Sequence, residues 1–316
     1  MRKTLLVLAA GLGSRYSENL KQLEAVDDVG HMLIHYTIWE AVKAGFTKII
    51  FVIRKGIRES FIERLGTDCL NFLHDAGVLV DFAFQSTNKL PDWYSKPLLR
   101  QKPYGTVHAI LCAEPHLKDE PFFVVNADDF YDTECLAKAS AMMAAQPDSV
   151  GLVAYWLHRT LPPEGEVNRG VCEVKSPINY GLTEPYRLLD GITETRGLSR
   201  GIDEKGMNGA IAGPVFYSSS TLVSMNTWVF PPTILPVMDF AFSNFIMNMP
   251  NELTSEYVIS DFISEYLKGF AGKSQRKINV STCSCDWFGL TKREDLDWVK
   301  QELKDFDLKI PKQLPF

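Results

Sequence analysis

The feature that most constrains this 316-residue chain is an apolar run that ends in a glycine-rich turn near the amino terminus. Residues 5–8 (Leu-Leu-Val-Leu) continue directly into Ala-Ala-Gly-Leu-Gly-Ser-Arg. A buried strand followed by small residues presents backbone N–H groups, as α/β proteins do for phosphates. The dinucleotide fingerprint fails because Tyr16 replaces its third glycine, and a Walker A loop fails because no Gly-Lys-Ser/Thr follows. The turn therefore favours an α/β fold and leaves phosphate binding open.

Short apolar runs alternate with amphipathic segments through the first half of the chain. Strands are predicted at 4–8, 48–53, 78–84, 122–125 and 150–156, and helices at 31–44, 57–65, 106–114 and 133–145. This order predicts right-handed βαβ units and a mostly parallel, Rossmann-like mixed sheet flanked by helices. The carboxyl ends of such strands are where ligands bind.

The second half has a different composition. Residues 162–214 are rich in Gly, Pro and turn signals, and they precede predicted strands at 222–230 and 277–282 and helices at 257–267 and 291–306. Since no flexible low-complexity stretch separates the halves, we expect 1–155 and 156–316 to form one continuous domain, ending in a helix.

Charge, hydropathy and cysteine usage exclude several classes of protein. The net charge of −6 argues against a broad nucleic-acid surface. No apolar run reaches membrane-spanning length, and the first one ends too early for a signal peptide. The six cysteines lack paired C-x-x-C spacing, which argues against zinc or disulfides and favours the cytoplasm. We interpret Cys283 and Cys285 as packing residues.

Carboxylates follow the predicted strand at 122–125. Adjacent Asp128 and Asp129 would repel each other without a cation, and Mg²⁺ binds through one or two carboxylates plus substrate phosphates. We expect one of the two to face the cleft, since successive side chains on a strand point oppositely. Asp132 is interpreted as the cap of the next helix. A later carboxylate, Asp286, follows the strand at 277–282.

Five segments in this order resemble the sugar-1-phosphate nucleotidyltransferases: LAAGLGSR with a following Lys, KPYGTVHAI, VVNADDFYD, SMNTWVF and CDWFGLTKRED. Within that family the chain is most similar to a bacterial subgroup of unassigned substrate. The resemblance implies a GT-A-like fold with a nucleotide-binding half at 1–155 and a sugar-phosphate-binding half at 156–316. It also implies transfer of a nucleotidyl group from a nucleoside triphosphate to a sugar 1-phosphate, with Mg²⁺ as cofactor and pyrophosphate as second product.

The resemblance assigns roles residue by residue. The catalytic residues would be Arg15, Lys21 and Asp128, and the metal ligands Asp128 and Asp286. The nucleotide would be bound by Ala10, Gly11, Gly13, Ser14, Gln85, Gly105, Thr106 and His108, and the sugar phosphate by Asn126, Glu194, Arg196 and Asn226. For His108 a packing role is equally open, and for Trp93, Tyr94 and Trp228 packing is favoured over stacking on a ligand.

The chain departs from the family pattern in its acceptor half. The lysine that follows the family's glutamate is missing, because Thr195 and Arg196 follow Glu194, and Arg196 is the candidate substitute. Gln85 would favour UTP or dTTP, with CTP left open. The alternatives are a glycosyltransferase that uses a nucleotide sugar and an inactive nucleotide-sensing subunit. We expect no nucleic-acid or membrane partner, and the sequence leaves the sugar and a homo-oligomer undetermined.

Overall fold

Four strands near the amino terminus form the parallel part of one mixed sheet. They are β1 (Thr4–Leu8), β2 (Lys48–Ile53), β3 (Leu79–Phe84) and β4 (Phe122–Asn126), in the order β3-β2-β1-β4. The structure is a computed structural model that describes residues 2–11, 24–86, 89–117, 119–175, 186–203, 205–269, 276–290, 294–306, 314 and 316.

Helices cover both faces of these strands. They are α1 (Leu33–Lys43), α2 (Arg58–Leu65), α3 (Thr67–Asp75), α4 (Thr106–Cys112), α5 (Glu114–Leu117) and α6 (Thr133–Ala145). On β1, Leu5 and Val7 pack into one core cluster while Leu6 belongs to the opposite one. A strand buried on both faces must be apolar at every position, which explains its sequence. The side chain of Asp132 accepts a hydrogen bond from the Cys135 N–H at 3.0 Å, so its predicted capping of α6 is confirmed.

The rest of the sheet comes from the second half of the chain. Its strands are β5 (Gly151–Trp156), β6 (Val167–Val174), β7 (Arg187–Ile202), β8 (Asn208–Ala212), β9 (Val215–Ser218), β10 (Leu222–Ser224), β11 (Trp228–Phe230) and β12 (Asn279–Cys283), and its helices are α7 (Leu235–Asn248), α8 (Ile259–Lys268) and α9 (Asp295–Phe306). The order continues from β4 as β11-β5-β10-β6-β7-β8-β9, with β12 beside β5 and β7. Among the helices in the described ranges, none combines the length and apolarity needed to cross a membrane.

The predicted mixed sheet is confirmed, but its second half differs from the sequence-based prediction. Of the described strand pairs there, only β5–β12 is parallel. Residues 162–214, which the composition assigned to turns, contain the antiparallel strands β6, β7 and β8. The predicted strand at 222–230 is two strands, because Asn226 interrupts it with a φ of 61°. Helices α3 and α7 were also missed.

One buried arginine anchors the long loop between β3 and α4. Arg100 is 1% exposed, and its guanidinium donates hydrogen bonds to the carbonyls of Glu252 and Ser255, each at 2.6 Å. It also donates to the Pro103 carbonyl at 2.7 Å and lies 3.8 Å from the centroid of the Tyr104 ring. A charged group with this many partners is satisfied although it is buried. The loop therefore has a defined position beside the carboxyl ends of the parallel strands.

Candidate active site

Two pockets open where the parallel strands end. Ala10, Arg54 and Gln85 follow β1, β2 and β3 and line one pocket, while Asp128 follows β4 and lines the other. Because β1 and β4 are hydrogen-bonded neighbours, Ala10 of one pocket and Asp128 of the other follow adjacent strands of the sheet. The predicted location of the site, at the carboxyl edge of the sheet, agrees with this arrangement.

The Gln85 pocket encloses about 140 Å³ and carries positive charge. It is lined by Ala10, Arg54, Gln85, Ser86, Lys96, Gln101, Lys102, Pro103, Tyr104 and His108. Among these described residues there are three cations and no carboxylate. Such a lining attracts a polyanion, and it includes two neutral amides, Gln85 and Gln101, that can hydrogen-bond a flat polar ligand.

The amide of Gln85 has a fixed orientation. Its Nε2 donates to the carbonyl oxygen of Gly105 at 3.1 Å and lies 3.3 Å from Nδ1 of His108. A carbonyl oxygen can only accept, so the nitrogen end of the amide must face it. The oxygen end of Gln85 is therefore available as an acceptor on the pocket side.

His108 holds this arrangement in its neutral form. It is 2% exposed, and burial lowers the pKa of its imidazole to about 4. If Nδ1 accepts from Gln85, the proton lies on Nε2, which is 3.6 Å from the Cys112 sulfur. The ring also stacks on Phe242, with centroids 5.2 Å apart. His108 thus packs in the core and contacts Gln85 at the same time.

Gly105 and Thr106 both contact the backbone of the segment that begins α8, which the sequence did not indicate. A Cβ on Gly105 would lie 2.3 Å from the Tyr257 carbonyl oxygen, and its φ of 101° disfavours any other residue. The hydroxyl of Thr106 accepts a hydrogen bond from the Ile259 N–H at 3.0 Å. Gly105 and Thr106 therefore connect the start of α4 with the start of α8. The Thr106 hydroxyl is occupied by a hydrogen bond from the first residue of α8.

The Asp128 pocket encloses about 200 Å³ and has the opposite character. It is lined by Asn126, Asp128, Asp129, Asn168, Arg169, Gly170, Glu194, Ser224, Met225, Asn226, Ser260 and Trp287. The structure therefore brings four predicted residues together: Asn126, Asp128, Glu194 and Asn226. Carboxylates, amides, hydroxyls and one aromatic ring are groups that suit a polyhydroxylated ligand.

A hydrogen-bonded chain crosses the floor of the Asp128 pocket. Nδ2 of Asn226 donates to Oδ1 of Asn126 at 3.4 Å, and Nδ2 of Asn126 donates to Asp129 at 2.8 Å. The Tyr131 hydroxyl lies 3.0 Å from the same Asp129 oxygen. Asp129 is 7% exposed, whereas Asp128 is half-buried. Both border the pocket, and Asp128 is the more accessible of the two.

The late segment that contains Asp286 does reach Asp128, but through its backbone. The Leu290 N–H donates to the Asp128 carbonyl at 2.8 Å, and Gly289 pairs with Asp129. A Cβ on Gly289 would lie 2.4 Å from Oδ1 of Asp129, so a larger residue here would force the Asp129 carboxylate to shift. The Asp286 side chain is 54% exposed and pairs with Arg159 at 3.0 Å. Trp287, rather than Asp286, lines the pocket.

Glu194 lies opposite these residues on β7. Burial raises the pKa of its carboxyl, while a hydrogen bond from Ser260 and the nearby arginines oppose that shift. Gly170 gives Ser260 room, because a Cβ there would lie 2.8 Å from the serine oxygen. Arg196 is exposed on the same strand and interacts with Glu194 and Asp261.

Cys283 and Cys285 make polar contacts in addition to packing. Sγ of Cys283 lies 3.7 Å from Oδ1 of Asp132, and Sγ of Cys285 lies 3.2 Å from Glu134. The two thiols donate to these carboxylates, and they connect the end of β12 to the N-cap and first turn of α6. The interpretation of Cys283 and Cys285 as packing residues was therefore incomplete.

Four predicted residues, Gly13, Ser14, Arg15 and Lys21, lie outside the described residues. Gly11 is described and exposed, and Ala10 is buried beside Gln85. Sequence reasoning missed the four cations that line the pockets: Arg54, Lys96 and Lys102 in one, and Arg169 in the other. Arg54 directly follows the apolar run of β2, so the rule applied to Asp128 would have found it. The sequence signal for Arg169 was weak because its strand was not predicted.

Comparison with models of protein families identifies the family of this chain. A model described as "Nucleotidyl transferase" matches residues 5–165, which is over half of the chain. The chain belongs to the nucleotidyl transferase family. The matched region contains every residue that lines the Gln85 pocket, so that pocket lies within the shared part of the family.

Curated relatives match part of this nucleotidyl transferase. A UTP–glucose-1-phosphate uridylyltransferase of Bacillus subtilis is 32% identical over 145 residues, covering 41% of this chain and 45% of that protein. An enzyme of the same name from Pseudomonas aeruginosa is 34% identical over 142 residues, covering 41% and 47%. The match thus spans about half the length of these relatives.

Solved structures resemble the whole chain. A UDP-glucose pyrophosphorylase from Acinetobacter baumannii has a TM-score of 0.58 at 18% identity, covering 99% of this chain and 95% of that chain. The inositol-1-phosphate CTP transferase from T. maritima has a TM-score of 0.58 at 12% identity, covering 98% of each. At these identities the likeness establishes the fold, which extends beyond the family match into the second half.

Proposed function

We propose that this protein transfers a nucleotidyl group from UTP or dTTP to a sugar 1-phosphate and releases pyrophosphate. The observation that carries the proposal is the pair of adjacent pockets in a nucleotidyl transferase, one cationic around a fixed amide and one lined by carboxylates and amides. Two substrates of different chemistry need two such neighbouring sites.

The Gln85 pocket is the proposed nucleotide site. The amide oxygen of Gln85 would accept the imide N3–H of uracil or thymine, which cytosine lacks because its N3 is an acceptor. Arg54, Lys96 and Lys102 offer positive charge for the phosphates. Gly13, Ser14, Arg15 and Lys21 remain part of the proposal as phosphate-binding residues on the strength of the sequence. Together these groups would hold the triphosphate with its α-phosphorus towards β4.

The Asp128 pocket is the proposed acceptor site and metal site. Hard oxygen donors suit Mg²⁺, and the accessible carboxylate of Asp128 beside Asp129 provides them. The ion, when bound, would stabilise negative charge on the transferring phosphoryl group. Glu194, Asn126 and Asn226 would bind sugar hydroxyls. We retain Asp286 only as a secondary candidate ligand, because its carboxylate pairs with Arg159.

The proposed reaction needs little acid–base chemistry. A phosphate oxygen of the sugar 1-phosphate attacks the α-phosphorus of the triphosphate, a new P–O bond forms, and the bond to pyrophosphate breaks. The nucleophile is already an anion, so no side chain must remove a proton. What the chain must supply is alignment of two polyanions and neutralisation of their charge.

Glucose 1-phosphate is the first acceptor to test, because the uridylyltransferases that match this chain carry it in their names. A cytoplasmic location is part of the proposal. It is supported by the six cysteines, all of which are free thiols.

Pyrophosphate release tests the proposed function directly. The purified protein is mixed with Mg²⁺, one of UTP, dTTP or CTP, and glucose 1-phosphate or another sugar 1-phosphate, and pyrophosphate is measured with a coupled assay. We expect release that depends on both substrates and stops with EDTA. Transfer of sugar from a nucleotide sugar without pyrophosphate release, or nucleotide binding without turnover for every pair, would contradict the proposal.

A further inference from the structure

Arg169 is a buried cation in the wall of the Asp128 pocket. It lies on β6, is 7% exposed, and stacks over Trp287 with 4.6 Å between its guanidinium carbon and the ring centroid. Its Nε and Nη2 donate to the hydroxyl and carbonyl oxygens of Thr160, and its Nη1 donates to the Asn168 carbonyl at 2.9 Å. These contacts hold the guanidinium in one place.

The guanidinium of Arg169 is not fully used by these contacts. It carries five N–H groups, and within the described residues three of them make hydrogen bonds, which leaves one on each terminal nitrogen. Two N–H groups on neighbouring nitrogens are the geometry with which arginine grips phosphate. Although burial lowers its pKa to about 10, the side chain stays charged at neutral pH.

Arg169 lines the pocket together with carboxylates from two different parts of the sheet. Its charge interacts with Asp129 on the β4 side and with Glu194 on the β7 side. In the proposed function, the carboxylates of Asp128 and Asp129 lie at the reacting end, and Glu194 lies at the sugar end. The group that connects these ends in a sugar 1-phosphate is its phosphate.

We propose that Arg169 binds the phosphate of the acceptor sugar 1-phosphate in the Asp128 pocket. This rests on the proposed function, which makes that pocket the acceptor site. Arg169 then takes the role that the sequence assigned to Arg196, whose side chain is exposed beside Asp261. A buried, held guanidinium loses less entropy on binding than an exposed one, so it gives tighter and more specific recognition.

A purely structural role for Arg169 is the competing explanation, and Arg200 provides a matched control. Arg200 donates to the carbonyls of Leu161 and Pro162, each at 2.8 Å, and so anchors the same segment that Arg169 anchors at Thr160. Arg200 is exposed and does not belong to the residues that line the Asp128 pocket. If anchoring were all that mattered, Arg200→Gln would reproduce Arg169→Gln.

The experiment compares KM values in the wild type, Arg169→Gln, Arg169→Lys and Arg200→Gln. We expect Arg169→Gln to raise the KM for glucose 1-phosphate at least tenfold and leave the KM for UTP within twofold. Arg169→Lys keeps the charge but not the two-pronged contact, and should raise the acceptor KM about threefold. Arg200→Gln should change neither. An equal rise of both KM values, or the same pattern in Arg200→Gln, overturns the proposal. If Arg169→Gln does not fold, Arg169→Lys decides.

A second measurement separates this proposal from the proposed function. Calorimetric titration with inorganic phosphate needs no turnover, so it applies even if no sugar 1-phosphate reacts. The wild type and Arg200→Gln should bind phosphate alike, and Arg169→Gln at least tenfold more weakly. Equal binding by all three proteins, or no phosphate binding by the wild type, overturns the role of Arg169. If the wild type turns over no sugar 1-phosphate but binds phosphate through Arg169, only the proposed function is contradicted.

Discussion

The Gln85 pocket and the Asp128 pocket share one edge of the sheet but differ in charge and in origin. The first has three cations and two neutral amides among its described lining residues, and the second has three carboxylates and one guanidinium. In the proposed reaction the cationic pocket receives the more highly charged substrate. The carboxylate pocket can accept a phosphate only together with cations, which makes Arg169 and a divalent ion complementary parts of it.

The two pockets also draw on different stretches of chain. Residues between Ala10 and His108 line the Gln85 pocket, and all of them lie within the family match at residues 5–165. The Asp128 pocket extends to Trp287 and takes most of its residues from the antiparallel half. The proposed nucleotide site therefore lies within the family match, while the proposed acceptor site lies mostly outside it. The family match consequently says more about the nucleotide than about the sugar.

The largest expected effect tests the Asp128 pocket. Asp128→Asn removes one negative charge from the proposed metal site, and we expect kcat/KM to fall about 10³-fold, or about 4 kcal/mol of transition-state stabilisation. Asp286→Asn, which breaks the pair with Arg159, should cost less than tenfold. The measurement is pyrophosphate release at saturating Mg²⁺. Equal losses in the two variants would show that Asp286 acts with Asp128 as the sequence indicated.

The next effect tests the Gln85 pocket through pH. His108 has a folded-state pKa of about 4 and an unfolded value near 6.5, so the folded protein binds fewer protons between these values. Stability therefore falls as the pH is lowered through this range, and His108 should contribute about 2 kcal/mol of that loss between pH 7 and pH 5. Urea unfolding at both pH values measures it. His108→Gln should show a correspondingly smaller loss, and identical pH dependence in both proteins would contradict the burial argument.

Nucleotide selectivity gives a smaller effect in the same pocket. Gln85→Ala removes the amide oxygen that would accept the imide N–H, and we expect the preference for UTP over CTP to drop about tenfold, or about 1.4 kcal/mol. The kcat with UTP should change less than this ratio. The control is Lys96→Ala, which removes a cation from the pocket and should raise the KM of every nucleotide alike. An unchanged UTP-to-CTP ratio in Gln85→Ala would place base recognition elsewhere.

The sequence predicted one pocket better than the other for a physical reason. Parallel strands buried on both faces give unmistakable apolar runs, and the residues after them, such as Gln85 and Asp128, must meet at one edge. The antiparallel strands alternate and contain glycine, so β6 with Arg169 was read as turns. Register cannot be obtained from composition, so the sequence did not reveal that Gly289 pairs with Asp129 or that the Asp286 carboxylate pairs with Arg159. Local periodicity locates strand ends, whereas side-chain direction depends on distant partners.

Asn226 has both a local backbone role and a contact with a distant partner, and its substitution gives the smallest expected effect. Its φ of 61° is unfavourable for most residues but tolerated by asparagine, and its amide reaches Asn126 at 3.4 Å. Asn226→Gly relieves the backbone and loses the amide, so stability should change by less than about 1 kcal/mol while the acceptor KM rises a few-fold. Asn226→Ala loses the same amide without relieving the backbone, and should unfold about 1 kcal/mol more easily than Asn226→Gly. Equal acceptor KM values in Asn226→Gly and the wild type would show that this position shapes the turn between β10 and β11 and takes no part in holding the sugar.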